Sequence, residues 1–134
     1  MEQVNVGIIG LGNIGTGTLT IFAENAEQID LKLGFKLRVK AVCDLLVDQK
    51  TIPDSLGPIL KTTDWRKVVE HPDVHVIVEL VGGTKVAADI IRAAIANKKS
   101  VVTANKELMG QAGADLGRLP HIINLIGFHE RLLQ

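Results

Sequence analysis

The chain has 134 residues, and its 15 basic and 15 acidic side chains leave no formal net charge. That balance argues against the broad basic surface that binds nucleic acid or anionic membranes. Hydrophobic residues make up 46% and aromatic residues 3%, which predicts one domain with an aliphatic core. A single cysteine excludes an intrachain disulfide. The sequence shows neither a signal peptide nor an apolar run of the roughly 20 residues that span a bilayer, so we expect a cytoplasmic protein.

The predicted elements alternate between strand and helix along the chain. Short apolar, β-branched runs predict strands over 4–9, 35–44, 59–61, 74–80 and 100–104. Apolar residues at helical spacing predict helices over 13–29, after Asp64, over 85–97 and from Lys106 onwards. Two prolines and a glycine predict a loop over 48–58. This order favours an α/β fold with a doubly wound parallel sheet, of the Rossmann type that binds dinucleotides.

Five glycines lie between positions 7 and 17, directly after the first predicted strand. Gly10, Gly12 and Gly15 have the G-x-G-x-x-G spacing, in which the glycines allow a tight turn, the approach of a pyrophosphate and close helix packing. The N–H groups of the following helix attract phosphate. We therefore predict NAD or NADP as the cofactor; the alternative is a turn without a ligand. Gly17 is interpreted as a packing glycine. The predicted cofactor contacts in this stretch are Gly10, Gly12, Asn13, Ile14 and Gly15.

Asp44 ends the second predicted strand, where an acidic side chain often binds the adenosine ribose, although it lies farther along than the roughly 20 residues that are usual. A carboxylate favours NAD because it repels the 2′-phosphate of NADP, but Lys50 and Lys61 could serve NADP. The choice of cofactor therefore stays open, and the alternative for Asp44 is that it only starts a turn. Cys43 is interpreted as a small strand-end residue, because no base accompanies it as it would a nucleophile.

Two further strand ends carry candidate site residues. Ligands of an open α/β sheet bind at the carboxyl ends of the strands, where Glu79 and Gly82 lie at the end of one strand and Thr103, Asn105 and Lys106 at the end of the next. Gly82, Thr103 and Asn105 are predicted to contact the cofactor. Lys106 is the candidate catalytic residue, able to hold a substrate hydroxyl, a carboxylate or a cofactor oxygen. The alternative is an ordinary solvated lysine at the start of a helix.

His71 and His75 are four residues apart, the spacing of one helix face. Pro72 lies between them and disfavours a helix, and the sequence offers no third ligand. We therefore interpret both as loop histidines and predict no metal site.

Four segments resemble the homoserine dehydrogenases, in this order: GLGNIGTG, RVKAVCD, VIVELVGG and VVTANKELM. The last two are far more specific than the glycine turn, and the match runs from about Val4 to Leu119. The resemblance implies an NAD(P)-dependent oxidoreductase that interconverts L-homoserine and L-aspartate 4-semialdehyde by hydride transfer, in the aspartate pathway to threonine and methionine. The family's lysine matches Lys106 and is implicated in cofactor contact and in proton transfer or substrate orientation. Many members carry an arginine in place of Cys43, and its absence weakens the case for strict NADP use.

The resemblance assigns 1–119 to an NAD(P)-binding domain. The family continues into a substrate and dimerisation domain, whereas 120–134 do not resemble that continuation and are interpreted as an atypical tail. Glu130 and Arg131 are therefore poor catalytic candidates. We expect the chain to bind the cofactor with weak or no activity, since the small amino-acid substrate needs the full-length enzyme. The apolar surface left uncovered makes self-association into a homo-oligomer a further hypothesis.

Two alternatives come from other functional classes. A non-catalytic dinucleotide-binding or redox-sensing module would need an effector element such as a basic recognition helix, which the sequence lacks. A related dehydrogenase for another small amino or oxo acid would share the fold. A substrate screen separates that enzyme from a homoserine dehydrogenase.

Overall fold

A computed structural model of the chain describes residues 2–104 and the backbone of 122–124. Its strands are β1 (Gln3–Ile9), β2 (Lys36–Cys43), β3 (Leu60–Thr62), β4 (Val76–Glu79), β5 (Ser100–Thr103) and β6 (Ile122–Asn124). Its α-helices are α1 (Asn13–Leu33), α2 (Trp65–Val69) and α3 (Lys85–Ala96). The predicted α/β fold is confirmed. The helix predicted from Lys106 onwards lies outside the described residues.

The strands form one parallel sheet in the order β3-β2-β1-β4-β5-β6. β2 and then β3 extend the sheet on one side of β1, whereas β4, β5 and β6 extend it on the other side. The strand order therefore reverses between β1 and β4. Ligands of such sheets bind at this reversal, outside the carboxyl ends of the strands. The register places Cys43 and Glu79 on either side of Ile9, and Thr103 beside Glu79. The strand ends that the sequence singles out therefore lie in one row.

Two apolar layers cover the two faces of the sheet. Ile8 of β1 packs with Leu19 of α1 on one face, whereas Ile9 packs with Val68 of α2 and Ile90 of α3 on the other. Because both faces are covered, β1 needs apolar side chains at successive positions. That requirement explains why the first strand reads as a continuous apolar run.

α1 extends to Leu33, four residues beyond the prediction, and Gly34 ends it in the left-handed conformation with a φ of 81°. Asp30 in its last turn accepts hydrogen bonds from the Leu37 N–H at 3.0 Å and from the Arg38 guanidinium at 3.0 and 2.8 Å. The Arg38 hydrogen bonds, with the Leu37 N–H, hold the pKa of Asp30 below its ordinary value despite desolvation. One carboxylate therefore ties the end of α1 to the start of β2.

Most predicted boundaries differ from the structure by one or two residues. β4 begins at Val76 rather than Val74, because the Val74 N–H donates to the His71 carbonyl at 3.2 Å and closes a turn. β2 begins at Lys36, one residue after the predicted start. The predicted loop contains two short 3-10 turns, Val47–Gln49 and Asp54–Leu56. The start of β4 and the two 3-10 turns arise from local backbone hydrogen bonds that hydropathy does not encode.

The amino-terminal edge of the sheet is closed by polar contacts. The Lys99 ammonium, 9% exposed, donates to the carbonyls of His71 and Val74, and burial lowers its pKa although Asp73 opposes that shift. His75 Nδ1 accepts from the Asn5 N–H at 2.9 Å. Both histidines lie between α2 and β4, as the sequence predicts, and both take part in these backbone contacts.

We predict that Asp30→Asn lowers the free energy of unfolding at neutral pH, because it removes the charge paired with Arg38. The folded-state pKa of Asp30 lies below its ordinary value of 3.8, so its stabilisation is complete above that value and is lost as the pH falls through the lower one. In urea titrations, the difference from wild type should be constant between about pH 5 and pH 8 and shrink below about pH 4. The exposed Asp89→Asn is the control. A difference for Asp30→Asn that is independent of pH would contradict the prediction.

Candidate dinucleotide site

A cleft of about 800 Å³ opens at the carboxyl ends of β1, β2 and β4. Its wall is formed by Gly10 and Gly12, by the segments 43–46 and 80–82, and by side chains from the start of α2 and from α3. The volume is within the usual range for small-molecule sites, roughly 300–1,000 Å³. The cleft therefore lies where the topology predicts a ligand.

Gly10 forms the bend at the end of β1. Its φ is 104°, and a Cβ atom there would lie 2.8 Å from the Leu80 carbonyl carbon. Its N–H donates to the Cys43 carbonyl at 2.8 Å, while the Leu80 N–H donates to the Ile9 carbonyl at 2.8 Å. The backbone of β1 thus continues between the ends of β2 and β4 with no room for a side chain, which explains the first glycine.

Gly15 and Gly12 meet different constraints. A Cβ on Gly15 would lie 2.2 Å from the Gly10 carbonyl oxygen, so α1 packs directly on the turn. A Cβ on Gly12 would meet nothing within 4 Å, and Gly12 caps α1 without a side-chain hydrogen bond. An uncapped helix start with an open backbone suits a phosphate group. The residues present therefore fit the pyrophosphate of a dinucleotide.

Unlike Gly10 and Gly12, three other residues of the glycine stretch are exposed and do not line the cleft. Asn13 and Ile14 are exposed on the first turn of α1, outside the cleft wall. Gly17 does not pack: a Cβ there would meet nothing within 4 Å, so its interpretation as a packing glycine is wrong. The sequence alone does not distinguish a helical glycine that is required by a tight contact, such as Gly15, from an exposed one, such as Gly17.

Asp44 lies in the cleft wall and holds two turns together. Its Oδ2 accepts from the Leu11 N–H at 2.7 Å and its Oδ1 from the Leu46 N–H at 2.8 Å. Burial raises the pKa of this carboxyl, but the two N–H groups and the charge of Lys50 outweigh burial and hold it below its ordinary value. Asp44 does start a turn, as the alternative proposes, and it also anchors the glycine turn. The second role joins residues distant in sequence, so no local pattern indicates it.

Cys43 is 4% exposed at the end of β2. Burial, reinforced by the charges of Asp44 and Asp64, raises the pKa of its thiol to about 11. The thiol is therefore protonated at neutral pH, which supports a strand-end residue rather than a nucleophile.

A buried carboxylate joins the ends of β4 and β5. Glu79 and Thr103 are both fully buried; Glu79 Oε2 accepts from the Thr103 hydroxyl at 2.5 Å, and Oε1 accepts from the Val81 N–H at 2.9 Å. The Thr103 side chain thus contacts Glu79 instead of being exposed in the cleft. The sequence signal for this pair is Glu79 itself, an acidic residue at the end of the apolar run of β4, whereas no local pattern indicates its partner Thr103.

The remaining predicted residues have mixed outcomes. Gly82 is exposed in the cleft wall, where a Cβ would meet nothing within 4 Å. Asn105 and Lys106 lie outside the described residues.

Within the described part of the chain, no cluster of three or more His, Cys, Asp or Glu side chains could hold a metal ion. No helix there combines the length and apolar character that a membrane crossing needs.

We predict opposite effects for alanine at Gly15 and Gly17. Gly15→Ala should lower the free energy of unfolding by roughly 1–3 kcal/mol, because its Cβ would overlap the Gly10 carbonyl. Gly17→Ala should raise it by roughly 0.5–1 kcal/mol, because it restricts the unfolded chain and meets no neighbour. Urea unfolding of both variants is the measurement, and each serves as the control for the other. Equal effects would show that packing on the turn does not distinguish the two positions.

Comparisons with known proteins agree with this geometry. The family model described as "Homoserine dehydrogenase, NAD binding domain" matches residues 10–121. A homoserine dehydrogenase from Neisseria gonorrhoeae is 37% identical over 126 residues, which cover 94% of this chain and 28% of that protein. One from Bacillus subtilis is 33% identical over 116 residues, covering 87% of this chain and 27% of the relative.

A solved structure shows the same relationship. The homoserine dehydrogenase from Thiobacillus denitrificans is 38% identical, with a TM-score of 0.77, covering 87% of this chain and 27% of that one. The chain thus spans about a quarter of the length of the relatives it matches. With the glycine turn at the switch point, these matches lead to one conclusion: the chain belongs to the homoserine dehydrogenase family and comprises its NAD(P)-binding domain.

Proposed function

We propose that the chain is the cofactor-binding part of an enzyme that interconverts L-homoserine and L-aspartate 4-semialdehyde by hydride transfer. The observation that carries the proposal is the family match over residues 10–121. It is supported by an open, uncapped helix start, positioned by the tight glycine turn, at the switch point of the sheet. A bound NAD or NADP supplies the hydride chemistry, and the protein supplies binding and orientation.

Each predicted contact has a proposed role. The backbone of Gly10, Gly12 and the first turn of α1, at Asn13, Ile14 and Gly15, holds the pyrophosphate. Asp44 faces the adenosine ribose from the end of β2. Gly82 lies in the wall at the end of β4, where the absence of a side chain leaves room for the nicotinamide ribose. Thr103 contributes to this end of the site through Glu79, whose other oxygen holds the 80–83 segment by the Val81 N–H.

Lys106 is the proposed catalytic residue, and Asn105 a cofactor contact. Both follow β5 directly in sequence, and the assignment of Lys106 rests on its match to the family's lysine. An ammonium group here would hold the substrate oxygen during hydride transfer. The substrate is a small amino acid, bound only when the remainder of the site is present.

We also propose the organisation of the protein. Residues 1–119 form the NAD(P)-binding domain, and 120–134 diverge from the family, although 122–124 pair with β5. The relatives extend well beyond the matched region, so we expect this chain alone to bind cofactor with weak or no homoserine oxidation. We infer that the protein works in the cytoplasm and associates with further copies of itself.

The test is calorimetric titration of the chain with NAD⁺ and NADP⁺, alongside homoserine-dependent reduction of either cofactor. We expect binding of at least one cofactor, with little or no turnover. Gly12→Asp should weaken that binding by more than about tenfold, because it places a carboxylate where the pyrophosphate lies. Its stability should not fall, because Asp is a favoured N-cap residue.

The control is Thr20→Asp, which adds the same charge on the exposed surface of α1, away from the glycine turn. Binding that survives in Gly12→Asp as well as in Thr20→Asp would overturn the phosphate role of the turn. Rapid homoserine oxidation by the chain alone would overturn the expectation of an incomplete enzyme.

A further inference from the structure

The ends of β4 and β5 are joined by one acidic side chain that a ligand cannot reach. Glu79 and Thr103 are paired in the register of these two strands. Both side chains are fully buried, and neither belongs to the cleft wall. Whatever Glu79 does for a bound cofactor, it therefore does through the residues that it holds.

The two oxygens of Glu79 hold two different segments. Oε1 accepts from the Val81 N–H at 2.9 Å, and Val81 lies in the middle of the wall segment 80–82. Oε2 accepts from the Thr103 hydroxyl at 2.5 Å. In the sequence, Thr103 lies three residues before Lys106. A single side chain thus links the wall beside Gly82 to the end of the strand that precedes the candidate lysine.

This double contact requires a carboxylate. Both hydrogen bonds are donated to Glu79, so its side chain must accept at both oxygens. A glutamine has one acceptor oxygen and an NH₂ group, and the NH₂ group cannot accept from the Val81 N–H. An apolar side chain would fill the same place without the free-energy cost of burying a polar group, but it would hold neither segment.

Asp44 provides a useful contrast, because it makes the same local contact at the end of β2. Each of the two carboxylates accepts from the N–H two residues further on. Asp44, however, lies in the cleft wall, where a ligand can reach it, whereas Glu79 is buried behind the wall. The two acidic residues at the switch point therefore differ in their relation to a ligand.

We propose that Glu79 is a positioning residue for the nicotinamide half of the cofactor. The proposal rests on the proposed cofactor role of the domain. Glu79 holds the wall segment 80–82 at a fixed distance from Thr103, so the room at Gly82 keeps its shape when the nicotinamide ribose enters. If one of the two hydrogen bonds is lost, the wall segment shifts relative to β5. The nicotinamide half then loses contacts that the adenosine half keeps.

The test compares the cofactor that wild type binds with the same nucleotide lacking nicotinamide: ADP-ribose for NAD⁺, and its 2′-phosphate for NADP⁺. Calorimetry gives the dissociation constant of each. Glu79→Gln and Thr103→Val nearly keep the shape of the side chain and each remove one of the hydrogen bonds. Each should weaken cofactor binding about tenfold and leave binding of the nicotinamide-free nucleotide unchanged. Thr103→Ser keeps the hydroxyl and should keep the wild-type ratio of the two constants.

The matched control is Thr62→Val, which removes the hydroxyl of another buried threonine, at the end of β3. That hydroxyl accepts from the Asp64 N–H at 3.0 Å, so the variant loses a hydrogen bond away from β4 and β5 and should leave the ratio unchanged.

Three results would overturn this proposal alone: a ratio that neither Glu79→Gln nor Thr103→Val moves, equal weakening of both nucleotides, or loss of folding in both variants. The last two would show that the pair supports the fold as a whole. Failure of wild type to bind either dinucleotide would overturn the proposal together with the proposed function, so the two failures are distinguishable.

Discussion

The site depends on a close approach of three backbone segments at the end of β1. The chain leaving β1 passes between β2 and β4 and hydrogen-bonds to both, through the Gly10 N–H to Cys43 and the Ile9 carbonyl to Leu80. No side chain fits at Gly10, and none fits where α1 packs back on the turn at Gly15. Because these contacts fix the position of α1, they also place its N-cap residue, Gly12, in the cleft wall.

Two carboxylates secure the segments that leave the neighbouring strands. Asp44 after β2 and Glu79 at the end of β4 each accept a hydrogen bond from the N–H two residues further on. The second oxygen of each reaches a different element: the glycine turn for Asp44, and Thr103 of β5 for Glu79. Hydrogen bonds from N–H groups to carboxylates are stronger than neutral ones. The cleft is therefore bounded by loops that are held on both sides.

The two ends of the sheet differ in whether protein side chains already occupy the backbone polar groups there. At the amino-terminal edge, Lys99 and His75 satisfy backbone groups of the turns, which leaves that edge closed. At the carboxyl edge, a Cβ on Gly12 or Gly82 would meet nothing within 4 Å, and the cleft opens there. Gly12 caps α1 without a side-chain hydrogen bond, and a helix start that is not capped by a side chain can bind a phosphate.

The sequence by itself determined the alternation of strands and helices, the parallel sheet and the position of the glycine turn. These features follow from local hydropathy and from backbone conformations that only glycine adopts readily, as at Gly10. Only the tertiary structure decided that Asp44 anchors Leu11, that Thr103 is committed to Glu79, that Gly17 packs against nothing and that Lys50 and Lys61 lie outside the cleft wall. Each of these depends on distances between segments far apart in the chain, and those distances are set by the packing of whole elements.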